Sequence, residues 1–430
     1  MAARVPPSDS SATVVEYRQA FETDRRFLMT ETGPRFPFER DQLDPPREYK
    51  DLRDNQPVSP VTLWDGSRAW LITGYDEMRA ALSDPGFSSE MHREGFPTIS
   101  EARRAVDMKE RDFIGMDGAE HQRYRRMFTR EFTAKRMVAL RDSVEAIADI
   151  LLTDMLRQEP PVDLVAEFSS KFPALVMSRL FGASFEDNEF ISANGAARHN
   201  MQSTPEEAAA GHERTIAYVK RLIAQKLENP ADDMLTRLIE QFLVPGEVTE
   251  DELAEMAGFI FRAGHDTTAN MISMSVLALL VHPDQLRDLR DHPDLINGAV
   301  EELLRYLSPV QFVPRRLALT DVQVGSVTIP AGEGIFNAAP SANRDDRMFA
   351  HPDELDLRRD AARHLSFGYG VHQCLGQPLA RLELQVALPM IFDRIPTIRL
   401  AHDLSSVKFK TDMQVYGVYN LNITWDGYRR

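Results

Sequence analysis

A thiol needs company to do chemistry, and the single cysteine of this chain has it. Cys374 sits in Phe367-Gly-Tyr-Gly-Val-His-Gln-Cys-Leu-Gly-Gln-Pro-Leu-Ala-Arg381, among Gly368, Gly370 and Gly376, with His372 close by and His364 further upstream. Pro378 then opens an apolar-periodic run through Leu379, Leu382, Val386 and Leu388, which reads as a helix. The sulfur is therefore expected at the mouth of a helix, where free N–H groups and the positive end of the macrodipole favour thiolate over thiol. Glycines there let the backbone pass close to something flat or bulky. Three chemistries fit. The thiol is unreactive and buried, or it is a nucleophile with His372 as its base, or it is a metal ligand. As sole protein ligand it requires the metal to arrive inside a cofactor.

The longest helical pattern, Thr249–Val281, carries a second candidate. Thr249-Glu-Asp-Glu252 forms a capping box at its start. Its centre reads Ala263-Gly264-His265-Asp266-Thr267-Thr268. A mid-helix glycine costs about 1 kcal/mol against alanine. Paired threonines compete for backbone carbonyls, and a carboxylate interrupts an otherwise apolar run. Three such exceptions in one turn point to a site. The alternative is a kinked core helix with Asp266 turned to solvent.

Two charged pairs stand at helical spacing. His121 and Arg125 are four apart, and Glu302 and Arg305 three apart. By spacing alone these are a solvated face and an ordinary helical ion pair. Gln122–Arg136 is basic in an acidic protein: Arg123, Arg125, Arg126, Arg130, Lys135 and Arg136 stand against Glu131.

Phe367-Gly368-x-Gly370-x-His372-x-Cys374-x-Gly376 resembles the haem-binding loop of the cytochrome P-450 monooxygenases. The resemblance runs from about Phe36 to the C-terminus and is nearest to the soluble actinobacterial members. It implies a mainly α fold with small β-sheets, built as a prism of helices around a buried b-type haem. It implies that Cys374 is the iron ligand, the ligation known to push electron density toward O–O cleavage. Phe367, Gly368 and Gly376 are implied as parts of the cofactor-binding loop. Ala-Gly-x-Asp-Thr implies that Thr267 and Asp266 manage proton delivery in oxygen activation. It implies propionate contacts from His121, Arg125, Arg316 and His364, with Arg315 an adjacent competitor of Arg316. It also implies a buried structural triad of Glu302, Arg305 and Arg358. The basic run becomes a candidate docking patch for an acidic ferredoxin, supplied in turn by a ferredoxin reductase. A nitric-oxide-reducing relative is a rival reading, disfavoured because those proteins lack the acid before the threonine. A non-catalytic haem protein is another, disfavoured because it has no use for a proton relay.

Around these residues the chain must supply positioning elements. Residues 1–35 are expected to be an N-terminal extension, polar and disordered to residue 14 with a short helix over Val15–Thr32, ahead of one catalytic domain over 36–430. Pro57–Gly74 reads as two strands about a turn at Asp65-Gly66, and Tyr75–Asp84 as a helix. Ser89–Phe113 has no clear form and, with Phe185–Arg214, is expected to shape substrate entry. Leu140–Leu156, Ala174–Phe181, Glu206–Glu228 and Asp233–Phe242 read as amphipathic helices, and about Pro293–Leu307 as another. The segment after Val313 is rich in strands. Residues Val310–Val313 are expected to line the substrate pocket.

Composition narrows the function further. Lys plus Arg number 50 and Asp plus Glu 66, a net charge of −16. That charge disfavours nucleic acid as a partner, because a phosphate-binding surface needs net basic patches. One cysteine allows no internal disulfide. The first residues contain no apolar signal core, and the longest apolar run, Met271–Val281, is too short to cross a bilayer. A cytoplasmic monomer acting on a hydrophobic small molecule with O2 is expected.

Overall fold

The computed structural model describes residues 33–184, 200–312 and 314–427. The expected disorder of residues 1–14, the helix over Val15–Thr32 and part of the Phe185–Arg214 loop lie outside them. In chain order the helices are α1 (Glu48–Asn55), α2 (Tyr75–Ser83), α3 (Glu101–Asp107), α4 (Gly118–Thr129), α5 (Ala134–Met155), α6 (Lys171–Phe181) and α7 (Pro205–Glu228). There follow α8 (Met234–Leu238), α9 (Glu250–Val281), α10 (Pro283–Asp291), α11 (Ile296–Leu307), α12 (Ala339–Ala342) and α13 (Gln377–Arg394). The expected helix Asp233–Phe242 is split, because α8 passes into a π-helical turn over Ile239–Leu243.

Helix α9 is the axis of the molecule. Its 32 residues span about 48 Å. The capping box forms as the sequence predicts. Thr249 Oγ1 accepts from Glu252 N at 3.2 Å, and Glu252 Oε2 accepts from Thr249 N at 2.7 Å. Glu250, Asp251 and Glu252 complement the macrodipole in the first turn. Pro283, following the last turn, starts the next helix. Helix α9 is buried nearly all round and packs against α6, α7 and α13. The largest hydrophobic core joins α5, α6, α9, α11 and α13.

The principal sheet is built from β1 (Val58–Thr62), β2 (Arg68–Ile72), β3 (Phe87–Ser88), β5 (Arg315–Ala318) and β8 (Gly334–Asn337), in the order β1-β2-β8-β5-β3. Strands β1 and β2 form the expected hairpin, with Val58 opposite Ile72 and Thr62 opposite Arg68. Strands β2 and β8 are parallel, Trp70 lying opposite Ile335. A short strand β4 (Val162–Asp163) joins β9 (Arg399–Leu400) and β10 (Asn422–Thr424), while β6 (Val322–Val324) and β7 (Val327–Ile329) form a hairpin. The unclassified stretch Ser89–Phe113 folds as a loop around α3, whose N-cap Ser100 accepts from Arg103 N. Among the described residues no helix is long and apolar enough to cross a membrane.

The charged pair on α11 is no surface ornament. Glu302 and Arg305 are both fully buried. Arg305 Nε and Nη2 donate to Glu302 Oε2 and Oε1 at 2.7 and 2.8 Å, and Arg305 Nη1 donates to the carbonyls of Asn343 and Pro352, both at 2.8 Å. The third member is not Arg358, as expected, but Arg359. Its Nε donates to Glu302 Oε1 at 3.1 Å. Arg358 instead faces outward to Asp288 at 2.6 Å. Adjacent arginines in an irregular segment point in different directions, so one residue of register decides which is buried. Arg359→Ala leaves a buried carboxylate short of a partner and should lower unfolding free energy by about 1–3 kcal/mol. Arg358→Ala should leave the urea midpoint unchanged. Equal midpoints in the two variants would show the assignment to be wrong.

Candidate active site

The Cys374 loop is held by its own backbone. Cys374 N donates to the Phe367 carbonyl at 2.8 Å, closing the loop. Gly368 and Gly370 both have positive φ, +69° and +74°, and a Cβ on Gly370 would stand 2.6 Å from the Leu82 carbonyl oxygen. Only glycine meets both demands at Gly370. Gly376 is the N-cap of α13 and has nothing within 4 Å of where its Cβ would be. The thiol is thus exposed to the cavity that it lines. Burial pushes the Cys374 thiol up, and the Gly376 N–H, Arg125 and the Gln377 N–H only partly oppose it. The helix mouth alone therefore does not ionise this sulfur. A raised, enclosed thiol is a poor free nucleophile, but it suits a ligand that is deprotonated when metal binds.

Phe367, Gly368, Cys374 and Gly376 line one side of the cavity, and Ala263, Gly264, Asp266 and Thr267 of α9 line another. A Cβ on Gly264 would lie 2.6 Å from Met177 Sδ, so the glycine lets α6 cross α9 closely. Thr267 Oγ1 donates to the Ala263 carbonyl at 2.8 Å. Its hydrogen is thereby committed to the helix, and its lone pairs remain to accept. Asp266 does not turn to bulk solvent. It lies on the cavity wall and pairs with His265 Nδ1 at 2.9 Å.

The cationic end of the cavity is formed by Arg125 and Arg316, with the neutral His372 beside them. His121 lies against His372 with ring centroids 3.9 Å apart and the rings tilted by 32°. Arg315, the competitor, is spent on Asp107, its Nη1 and Nη2 donating to the two carboxylate oxygens at 2.6 and 2.9 Å. Arg316 is buried and donates to the Arg315 carbonyl at 2.7 Å. Burial lowers Arg316 to about 10, despite Asp117 nearby. Burial, then Arg125 and Arg316, lowers His121 to about 4. Burial, then Arg316 and His121, lowers His372 to about 2. His121 Nε2 is buried without a hydrogen-bond partner. So much buried positive potential beside an orphaned ring nitrogen is the environment that a group carrying carboxylates would satisfy.

His364 is not part of this cluster. Its Nε2 lies 3.2 Å from Glu301 Oε2 and its Nδ1 accepts from Ser366 N at 3.1 Å, so both ring nitrogens are occupied. His372, read from sequence as a possible base, lines the cavity beside Arg125 and Arg316, and His364 does not. Glu383 was also missed. It lies on the cavity wall from α13, hydrogen-bonds Thr268, and burial pushes it well above the carboxylate range. Its signal was legible: 379, 382, 383 and 386 are one helical stripe, apolar except for this carboxyl.

A mainly helical prism with one thiol facing an acid–alcohol turn across a buried cavity is the architecture of a haem-thiolate protein. Residues 55–395 match the family model described as Cytochrome P450, and the chain belongs to that family. It is 43% identical over 383 residues to cytochrome P450-SU2 of Streptomyces griseolus, covering 89% of this chain and 94% of that one. Among solved structures it resembles cytochrome P450 MoxA from Nonomuraea recticatena, a CYP105 enzyme, with a TM-score of 0.85 and 40% identity, covering 92% and 99% of the two chains. It also resembles MycCI, the mycinamicin VIII C21 methyl hydroxylase from Micromonospora griseorubida, with a TM-score of 0.86 and 34% identity over 91% and 99%. The protein is a P450 monooxygenase, and haem is its cofactor. The expected fold class is the one observed.

The close crossing at Gly264 is testable. Gly264→Val should destabilise by about 1–3 kcal/mol through overpacking. Adding Met177→Ala should recover part of that loss, a coupling of about 0.5–3 kcal/mol in a double-mutant cycle. Strict additivity in urea unfolding would show that the two side chains do not meet.

Proposed function

We propose that this enzyme inserts one atom of O2 into a hydrophobic secondary metabolite, with electrons from a ferredoxin and its reductase. On this reading residues 36–430 are one catalytic domain working in the cytoplasm as a monomer. The observation that carries the reading is that Cys374, the Asp266-Thr267 turn and a cationic end share one cavity. Haem supplies the oxygen chemistry when bound. Cys374 would hold its iron, and Phe367, Gly368 and Gly376 would flank it. Arg125 and Arg316 would bind the propionates by charge-assisted hydrogen bonds, with His121 and His372 as neutral donors. His372 replaces His364 in that role. Thr267 would accept and relay a proton at its Oγ1, and Asp266 would deliver it.

The rest of the cavity is mostly apolar, with Met91, Phe113, Phe259, Met271 and Val310 on its walls, and Arg103 and Arg315 there are paired to Asp107. That lining suits a hydrophobic substrate. MycCI, one of the structural relatives, is described as acting on mycinamicin VIII, and a macrolide-sized metabolite is the class proposed here.

Ferredoxin docking is proposed at α4 and the turn after it. Arg125 Nη2 donates to the Gln373 carbonyl, so α4 runs beside the Cys374 loop. Arg126, Arg130 and Lys135 are exposed there, and Val371 in the loop is exposed as well. The one acid of the run, Glu131, is buried and bonds Arg237 at 2.6 Å, with Arg136 3.9 Å away, which leaves Arg126, Arg130 and Lys135 to form the patch.

Two measurements test these proposals. The reduced, carbon-monoxide-bound spectrum should show a thiolate-type Soret band that Cys374→Ser abolishes. A protein that takes up no haem, or an unchanged band in the variant, would overturn the ligand assignment. Arg126→Glu with Arg130→Glu should slow reduction by ferredoxin by about 10-fold or more at low salt, with the difference shrinking as salt rises. Unchanged reduction rates would refute the docking site.

A further inference from the structure

His265 stands next to Asp266 in the turn that faces the cavity, and no step above requires it. Its ring is buried, 6% exposed, between two oxygen atoms. Nε2 lies 2.9 Å from the Ser170 carbonyl oxygen. A carbonyl can only accept, so Nε2 carries a hydrogen. Nδ1 lies 2.9 Å from Asp266 Oδ1. With Nε2 already protonated, a neutral ring would present its Nδ1 lone pair to an ionised carboxylate, which is repulsive. The observed contact therefore holds one proton between the two groups, either as imidazolium and carboxylate or as imidazole and carboxylic acid.

We propose that His265 and Asp266 together form a proton store: the pair keeps one transferable proton beside the oxygen side of the cavity, with His265 as the positioning and reloading partner of Asp266. The need for it is chemical. Each insertion of one oxygen atom from O2, with the other released as water, consumes two electrons and two protons. An aspartic acid with a pKa near the ordinary value, about 3.9, holds almost no proton at neutral pH. An imidazole titrates where the reaction runs. Nδ1 of His265 gives its proton to Oδ1, Asp266 passes that proton into the cavity, and the pair is left as imidazole and carboxylate until solvent recharges the ring.

The surroundings agree with the charged form. Burial works against protonating His265, but the hydrogen bond and charge of Asp266, together with the Ser170 carbonyl, raise it overall. From the C-terminal segment Lys410 faces the pair, opposing charge on His265 and attracting Asp266, with Asp412 beyond it. Lys410 Nζ is anchored on Asn270 Oδ1 at 2.9 Å, and Asn270 Nδ2 donates to the Asp266 carbonyl at 2.8 Å. One turn earlier on α9, Arg262 Nη2 reaches Glu110 at 3.3 Å. Lys410 draws Asp266 toward its ionised form, which makes His265 the holder of the proton at rest.

The test is nuclear magnetic resonance of the holoenzyme in its reduced, carbon-monoxide-bound, diamagnetic form, labelled with 15N-histidine. The His265 resonances are those missing in His265→Gln. Both ring nitrogens should be protonated at about pH 7.5, where an ordinary histidine is neutral, and Asp266→Asn should convert the ring to the neutral form. A neutral His265 in the wild type, or a ring charge indifferent to Asp266→Asn, overturns the proposal. The kinetic readout is NADPH-driven oxygen consumption through a [2Fe–2S] ferredoxin and its reductase, with no organic substrate added. Wild type should hold its rate between about pH 6.5 and pH 8, whereas His265→Gln should lose about 10-fold across that range and gain a larger solvent deuterium isotope effect. Parallel pH profiles also overturn it, since a merely structural role would lower both rates alike. The inference rests on the monooxygenase reading, and the two fail separately. Absence of a thiolate Soret band overturns both, and a normal band with a neutral His265 overturns the proton store alone.

Discussion

A carboxylate and a guanidinium without any access to solvent hold the chain that leads to the thiol. Removing either charge from water is costly, and the cost is offset only if every donor and acceptor is met. Glu302 and Arg305 meet that condition by reaching beyond each other, to Asn343, Pro352, the Asp356 N–H and Arg359. Those partners lie along the irregular segment before the Cys374 loop. Asn343 carries the constraint onward: its Oδ1 accepts from Leu365 N at 2.7 Å and its Nδ2 donates to Ser366 Oγ at 2.8 Å. An unstructured-looking stretch is thus fixed by one ion pair, and the placement of the thiol is its result.

The cavity divides by chemistry. One end is positive and buried, with two histidines held neutral by burial first and then by the arginines that share it. The walls beyond are mostly apolar. The α9 side carries an acid and two alcohols in a single turn, with the His265 imidazole behind the acid, and the α13 side carries a carboxyl held neutral by burial. Protonation states in this protein are therefore set mainly by exclusion of water, with specific partners correcting the result. Cys374 shows the same balance, since the N–H groups at the helix mouth lose to desolvation.

Much of this was legible in the sequence wherever the determinant was local. The capping box of α9, the glycines at positive φ before Cys374 and the β1–β2 hairpin all depend on neighbours within a few residues. Residue roles that depend on where a side chain points across the fold were not. Arg358 and Arg359 are adjacent, as are Arg315 and Arg316, and only tertiary contacts with Glu302 and Asp107 tell them apart. His364 and His372 flank the same loop, yet Glu301 claims the first. The folding of Ser89–Phe113 around α3 was equally hidden. Its anchors are buried ion pairs, Arg103 to Asp107 and Arg315 to Asp107, whose partners are distant in sequence or ambiguous in spacing.

The parallel pairing of β2 with β8 sets an order of events in the life of the molecule. Trp70 and Ile335 lie well over half the chain apart, and the Gly370 turn seats on the carbonyl of Leu82. A nascent chain emerging from the ribosome has its first strands long before their mates exist. The cradle for the cofactor cannot assemble until nearly all of the polypeptide has been released. Loading of haem is therefore a late, post-synthetic step, and the hairpin of β1 and β2 must wait with one edge unpaired.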